Sequence, residues 1–177
     1  MKKRLVFELT NIKKRYHNKT VLNIKHFQCH PGTIYGIIGP IGAGKTTLLK
    51  ILGGRIKPSV GELRFEGEKF QTNWFGKIKP ADDIWFGSIE DLDRNKTVSD
   101  LLPISTGSSK KNNDLYFSAK NQNNLISEKI KNLSQGEKAW ILKCMLHNQD
   151  PRVVIIDDYC AYLDKKKQME FQKTIQR

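Results

Sequence analysis

Apolar residues in the first part of the chain fall in short stretches, each ended by glycine, proline or a polar turn. Residues 5–11 and 21–29 are rich in β-branched and aromatic side chains, which predicts two strands separated by the polar stretch YHNKT. After the turn signal Pro31-Gly32, TIYGIIG at residues 33–39 is almost continuously apolar. Such a run predicts a short strand buried on both faces of a parallel sheet, and it leads directly into the glycine-rich GPIGAGK. KTTLLKIL then reads as a helix that stops at Gly53-Gly54, with Pro58 beyond it. GELRFEG at residues 61–67 predicts another strand, with Leu63 and Phe65 on one face and a turn at Glu66-Gly67, suited to the antiparallel part of a mixed sheet.

The pattern changes farther on. ISTGSSKKNNDLYFSAKNQNN at residues 104–124 is too polar to bury much, which predicts a surface insertion or partial disorder. LSQGEKAWILKCML follows as a capped amphipathic helix, Ser134 and Glu137 having the spacing of a capping box. VVIID at residues 153–157 predicts a buried strand, and KKKQMEFQKTIQR at 165–177 a terminal helix. The sequence contains no internal repeat.

A length of 177 residues fits one domain with a real core. Thirty-one Lys and Arg against 18 Asp and Glu give a net charge of +13, which suits a nucleotide, a nucleic acid or an anionic membrane surface. A solvated, lysine-rich surface accounts for the charge more simply than a dedicated nucleic-acid face. There is no long apolar run, and Glu8 interrupts the N-terminal segment too early for a signal-peptide core, so a soluble, cytoplasmic chain is expected. Cys29, Cys144 and Cys160 show no CxxC spacing and are expected to be buried, reduced thiols. In HFQCH the two histidines of a strand would stand about 13 Å apart, too far to share one ion. They read as an exposed strand face, with Phe27 and Cys29 pointing inward.

Gly39, Gly44, Lys45 and Thr46 satisfy G-x-x-x-x-G-K-[ST]. Its chemistry is explicit: backbone amides of Ile41 to Lys45 wrap phosphates, the helix N-terminus adds its dipole, Lys45 neutralises phosphate oxygens, and the Thr46 hydroxyl ligates magnesium. A glycine-rich loop that merely turns the chain has no need of a Lys-Thr pair after its last glycine. Asp157, closing VVIID, is the natural carboxylate for that magnesium.

The order of these motifs resembles the ATP-binding subunit of ABC transporters. LTNIKKRYHNKTVLNIKHF is similar to the family's opening strands, GPIGAGKTTLLKILGGRIKPSVGELRFEG follows its core pattern, LSQGE is similar to its LSGGQ signature, and AYLD at residues 161–164 to its SALD dimer-contact motif. The resemblance implies an α/β fold, a P-loop NTPase of ABC type with a mixed sheet core, an antiparallel β subdomain and a small, polar helical subdomain. Residues 1–177 would form a single nucleotide-binding domain, with the helical subdomain at 88–131 and the domain's usual C-terminal end missing. In that subdomain a short helix is expected at residues 97–102, Thr97 and Asp100 forming a capping box.

It also implies that Tyr16 stacks on adenine and that Gly39, Pro40, Ile41, Gly42, Ala43, Gly44, Lys45, Thr46 and Thr47 hold the phosphates of ATP. Thr46 and Asp157 would hold Mg2+, and Asp158 would be the catalytic base alongside Lys45. Ser134, Gln135, Gly136 and Glu137 would complete the ATP site of a second subunit in a head-to-tail homo- or heterodimer. The implied function is Mg-ATP hydrolysis that drives a separate membrane-spanning subunit docked on residues 88–131. The protein would then lie in the cytoplasm, peripheral at the inner face of the cell membrane.

Three departures bear on hydrolysis. Where the family carries a glutamine near magnesium, counting back from Lys96-Thr97-Val98 reaches Ser88, too short to make the same bridge without an added water. The usual catalytic glutamate is Asp158, and misplacing a catalytic group by ~1 Å can cost about 10²-fold in rate. No histidine follows His147, where the family has one contacting the γ-phosphate. A slow ATPase is therefore expected, either a piece of a longer protein or a naturally reduced domain. The alternatives are a soluble ABC-type ATPase acting on nucleic acid or ribosomes, although nucleic acid is not the expected partner, and a degenerate, non-hydrolysing ATP sensor.

Overall fold

The computed structural model describes residues 5–102, 125–147, 149–158 and 169. β1 (Phe7–Tyr16) and β2 (Lys19–Cys29) form an antiparallel hairpin, with Phe7 opposite Cys29 and Tyr16 opposite Lys19. Both strands run longer than their hydrophobic stretches predict. His17 takes φ +51, so the reversal needs only His17 and Asn18, and the rest of YHNKT is absorbed into the ladder.

β1 also pairs antiparallel with β3 (Val60–Phe65), which turns through Glu66 and Gly67, both at positive φ, into β4 (Glu68–Lys69). The sheet order is β2-β1-β3-β4, the antiparallel unit that GELRFEG predicts. Its inward positions, Phe7, Leu9, Ile12, Leu22, Cys29 and Leu63, are buried, and His26 and His30 are exposed, as the alternation in HFQCH requires.

α1 (Lys45–Leu52) sends Leu48, Ile51 and Leu52 into the same core. Ile84 and Phe86 of β5 (Ile84–Gly87) and Ile155 of β6 (Val153–Ile156) join them. Leu9, Ile12 and Ile51 are wholly buried, each contributing about 1.5–3 kcal/mol of hydrophobic stabilisation. β5 and β6 form a second, two-stranded sheet. The Val153 N–H donates to the Asp83 carbonyl at 3.0 Å and the Asp157 N–H to the Gly87 carbonyl at 2.9 Å. Both bonds advance along the two strands in the same sense, so the pair is parallel.

Residues 33–39 depart from expectation: they form no strand. Ile34 is 68% and Ile38 96% exposed. A strand buried on both faces needs ladder partners for its amides and carbonyls, and none of the described strands pairs with this segment. Tyr35 is instead tied to the end of β2, accepting a hydrogen bond from the His30 N–H at 2.9 Å and packing edge-on against Phe27. β6 forms where VVIID predicts it, but of Val153–Ile156 only Ile155 is fully buried.

The chain divides into two compact units, Met1–Phe86 with Arg152–Ile155, and Gly87–Pro151 with Ile156–Arg177. In the second, α2 (Val98–Leu101) carries the expected capping box: the Thr97 N–H donates to Asp100 Oδ2 at 2.8 Å and the Asp100 N–H to Thr97 Oγ1 at 3.3 Å. The Thr97 N–H, joined by the Thr97 hydroxyl donating to the same oxygen at 2.7 Å, holds the Asp100 carboxyl below its usual range. The Val98 N–H donates to the Glu128 carbonyl and the Ile130 N–H to that of Lys96, closing the segment over buried Val98 and Ile130. α3 (Gln135–His147) buries Ala139, Ile141, Leu142, Cys144 and Leu146. The polar stretch 104–124, Cys160, AYLD at 161–164 and the expected terminal helix, Met169 aside, lie outside the described residues.

Candidate functional site

The glycine-rich loop is shaped by positive φ at Gly42 (+81°) and Gly44 (+88°). At Gly44 the requirement is also steric, because a Cβ there would lie 2.5 Å from the Val21 carbonyl oxygen of β2. The Ala43 N–H donates to the Pro40 carbonyl at 3.2 Å, and α1 starts immediately after Gly44. No side chain caps α1 and no acidic residue occupies its first turn. Its leading amides therefore point out of a positive helix end into a glycine-walled loop, the arrangement that binds oxyanions.

Lys45 completes that site. Its Nζ donates to the carbonyls of Gly39 at 2.9 Å and Pro40 at 3.0 Å, so the ammonium is held over the loop rather than extended into solvent. Phosphate oxygens would offer it charged acceptors in place of two neutral ones, a stronger class of hydrogen bond. Thr46 and Thr47 follow in the first turn, both half-buried, whereas Ile41 at the loop's crest is fully exposed. Tyr16, at the end of β1, keeps 45% of its surface exposed, and the Lys14 ammonium sits 5.2 Å from its ring centroid. An exposed ring at a strand end is available for stacking.

The second unit carries the acids. Asp157 and Asp158 follow β6 directly, in contrasting environments: Asp157 is buried, and Asp158 is exposed with φ +51. Asp tolerates the left-handed region better than most residues, so the turn can aim consecutive carboxylates differently. Ser88, buried at 4% exposure, follows β5 as Asp157 follows β6. No sequence signal other than counting could have set these two side by side, because the strands are far apart along the chain.

At the head of α3 the capping box is present. Ser134 donates to Glu137 Oε2 from both its N–H and its hydroxyl at 2.7 Å, and the Glu137 N–H donates to Ser134 Oγ at 3.3 Å. Gln135 is exposed and Gly136 half-buried beside them. Tyr16 and residues 39–47 belong to the first unit; Ser88, Ser134 to Glu137, Asp157 and Asp158 belong to the second. Thr46 in the first unit offers a hydroxyl and Asp157 in the second a carboxylate, each by itself the kind of hard oxygen donor that magnesium takes.

The family model described as "ABC transporter" matches residues 22–161. The chain belongs to the ABC transporter family. It is 29% identical over 97% of its length to the spermidine/putrescine import ATP-binding protein PotA of Mycoplasma mycoides subsp. mycoides, covering 50% of that protein. It is 31% identical over 91% of its length to the lipoprotein-releasing system ATP-binding protein LolD of Buchnera aphidicola subsp. Acyrthosiphon pisum, covering 77% of it. The chain thus spans about half the length of the PotA relative and three quarters of the LolD one.

Among solved structures, the ATP-binding cassette MJ0796, in a dimeric post-hydrolysis state bound to ADP and Pi, superposes with a TM-score of 0.73 at 19% identity. That match covers 96% of this chain and 81% of the other. A bacterial Atm1-family ABC exporter with ATP bound gives a TM-score of 0.75 at 18% identity, covering 97% of this chain and 32% of the exporter. The fold of this ABC transporter family member is therefore the α/β P-loop NTPase fold of ABC type that the motifs imply.

Proposed function

We propose that this chain is the ATP-binding subunit of an ABC transporter, binding Mg-ATP and hydrolysing it slowly to drive a separate membrane-spanning subunit. The observation that carries this reading is the uncapped N-terminus of α1, opening onto a left-handed glycine loop over which Lys45 is held. Nothing in the hydrophobic core requires that combination, whereas a triphosphate uses all of it.

In this reading residues 39–47 hold the phosphates, Lys45 bridges phosphate oxygens, and Tyr16 stacks on the base. Bound Mg2+, held by Thr46 and Asp157, would draw charge from the phosphates as the terminal group leaves. Asp158 orients the attacking water and accepts its proton. Ser134 to Glu137 face the ATP of a second subunit, and the two compact units are parts of one nucleotide-binding domain over residues 1–177, with the 88–131 segment facing the membrane subunit. The site of action is the inner face of the cell membrane, reached through that subunit. No helix among the described residues is long and apolar enough to cross a membrane. The relatives' names refer to spermidine/putrescine import and lipoprotein release, cargoes of unlike chemistry, which suits a shared ATP-driven engine whose cargo is chosen elsewhere.

Titration of the chain with ATP and Mg2+ by calorimetry tests the core of this. Lys45→Ala is expected to abolish binding, and ordinary ATP affinity in that variant would overturn the assignment. Ser88 and Asp158 favour a second reading, an ATP sensor that does not turn over. Phosphate release measured with the membrane subunit present separates the two.

A further inference from the structure

Residues 71–79 build a small hairpin that the nucleotide site does not use. Thr72 bridges Ile78, the Lys79 N–H donates to the Gln71 carbonyl at 2.7 Å, and the Asn73 N–H donates to the Lys77 carbonyl at 2.8 Å. The tip is closed by the Gly76 N–H on the Asn73 carbonyl at 2.9 Å and by the Lys77 N–H on Asn73 Oδ1 at 2.9 Å. This scaffold presents Trp74 and Phe75 at 96% and 84% exposure. An ordinary solvated turn calls for small or polar residues at its crest, so two adjacent aromatic rings held out in water point to a surface that covers them.

We propose that this hairpin is a membrane-interface anchor, with Trp74 and Phe75 seated among the headgroups of an anionic lipid bilayer and Lys77 and Lys79 against its phosphates. Charge supports a lipid occupant. Between Lys69 and Pro80 the only charged residues are lysines, the flanking acids in sequence being Glu68 and Asp82. Lys69 is paired with Glu62, while Lys77 and Lys79 both lie on the arm that follows the tip. Size supports it too. Two aromatic side chains cover roughly 300–500 Å², well short of the ~800 Å² per partner of a stable protein interface. Tryptophan beside lysine is the composition that settles at the bilayer-water boundary, where the ring lies at headgroup depth and the ammonium finds lipid phosphate. A contact of this size holds a surface near the membrane and leaves the main grip to another interaction.

The experiment is vesicle sedimentation of the full chain with mixed phosphatidylcholine/phosphatidylglycerol vesicles, together with tryptophan fluorescence. The chain is expected to sediment with these vesicles with a blue shift in emission. Trp74→Ala/Phe75→Ala leaves the net charge unchanged and should lower partitioning by about tenfold or more, which separates insertion from the general attraction of a +13 chain. Trp74→Phe should remove the blue shift, since Trp85 is buried and Trp140 belongs to α3. Circular dichroism and ATP binding check that each variant folds. Undiminished sedimentation of the double variant, a blue shift that survives Trp74→Phe, or equal binding to pure phosphatidylcholine vesicles would overturn the proposal. So would a double variant that sediments normally yet fails to bind the membrane subunit, which would make the tip a protein contact.

Discussion

The backbone N–H of Asp157 donates to the carbonyl of Gly87 at 2.9 Å, and in a parallel ladder that bond sets Asp157 opposite Ser88. The residue where a glutamine is expected and the pair of acids at the end of β6 thus share one sheet edge. If Asp158 activates water, its carboxylate stands one methylene short, and lengthening it should help. Asp158→Glu is expected to raise phosphate release by about tenfold or more with ATP affinity unchanged. Ser88→Gln must fit a longer side chain where Ser88 is only 4% exposed, costing about 1–3 kcal/mol of stability. Its gain should therefore show as turnover per folded molecule, with urea unfolding run in parallel. A glutamate variant no faster than the parent would remove Asp158 from the chemistry.

Gly44 joins the glycine-rich loop to the core. It sits at φ +88, and a Cβ would press on the Val21 carbonyl of β2. Gly44→Ala should lose about 1–3 kcal/mol from backbone strain, and ATP affinity should fall further than stability because the loop itself is displaced. Gly67→Ala is the control: it has similar φ but open space around the glycine. It should lower the urea midpoint modestly and leave ATP binding intact.

Elements whose signals are local were legible in the sequence. The Thr97–Asp100 and Ser134–Glu137 boxes, the end of α1 at Gly53 and the turn at Glu66-Gly67 all depend on residues within four positions of one another, and each forms. Residues 33–39 show the opposite case. Their apolar run says what kind of neighbours the strand needs, but not whether a ladder partner is present, and without one Ile34 and Ile38 stay in water. The 71–79 hairpin has no comparable signal: it lacks alternation, and Asn73 and Gly76 are its only local cues. The loop at 39–47 was legible as a motif, whereas the hold of Lys45 on the Gly39 and Pro40 carbonyls required coordinates.

Burial gives the two described thiols a signature in alkali. It pushes Cys29 from 9.0 up to about 11 and Cys144 from 9.0 up to about 12. Because the folded values are raised, the stability they contribute is complete below pH 9. It is lost as pH rises, since the unfolded chain gives up protons that the fold retains, until each thiol ionises in the folded state as well. The loss is at most about 1.4 kcal/mol per pH unit for each thiol. Urea midpoints should fall between pH 9 and pH 11, and Cys29→Ala/Cys144→Ala should flatten that fall. In native protein both thiols should resist Ellman's reagent until urea is added. Rapid labelling of Cys29 without denaturant would contradict the burial of β2's inner face.

Ser134 carries two possible duties that a single substitution can separate. Its hydroxyl already donates to Glu137 Oε2 and accepts from the Glu137 N–H, so within one chain it is a helix cap. Removing it by Ser134→Ala should cost about 1 kcal/mol in urea unfolding. Glu137→Ala breaks the same reciprocal box but spares the hydroxyl, freeing it to donate elsewhere. If Ser134 also binds the phosphate of a second subunit, the alanine variant at 134 should lose ATP-driven dimerisation while the one at 137 keeps much of it at matched stability. Sedimentation velocity with Mg-ATP, using the Asp158→Asn background to slow turnover, reads the difference. Equal dimerisation by the two variants would leave Ser134 a cap alone.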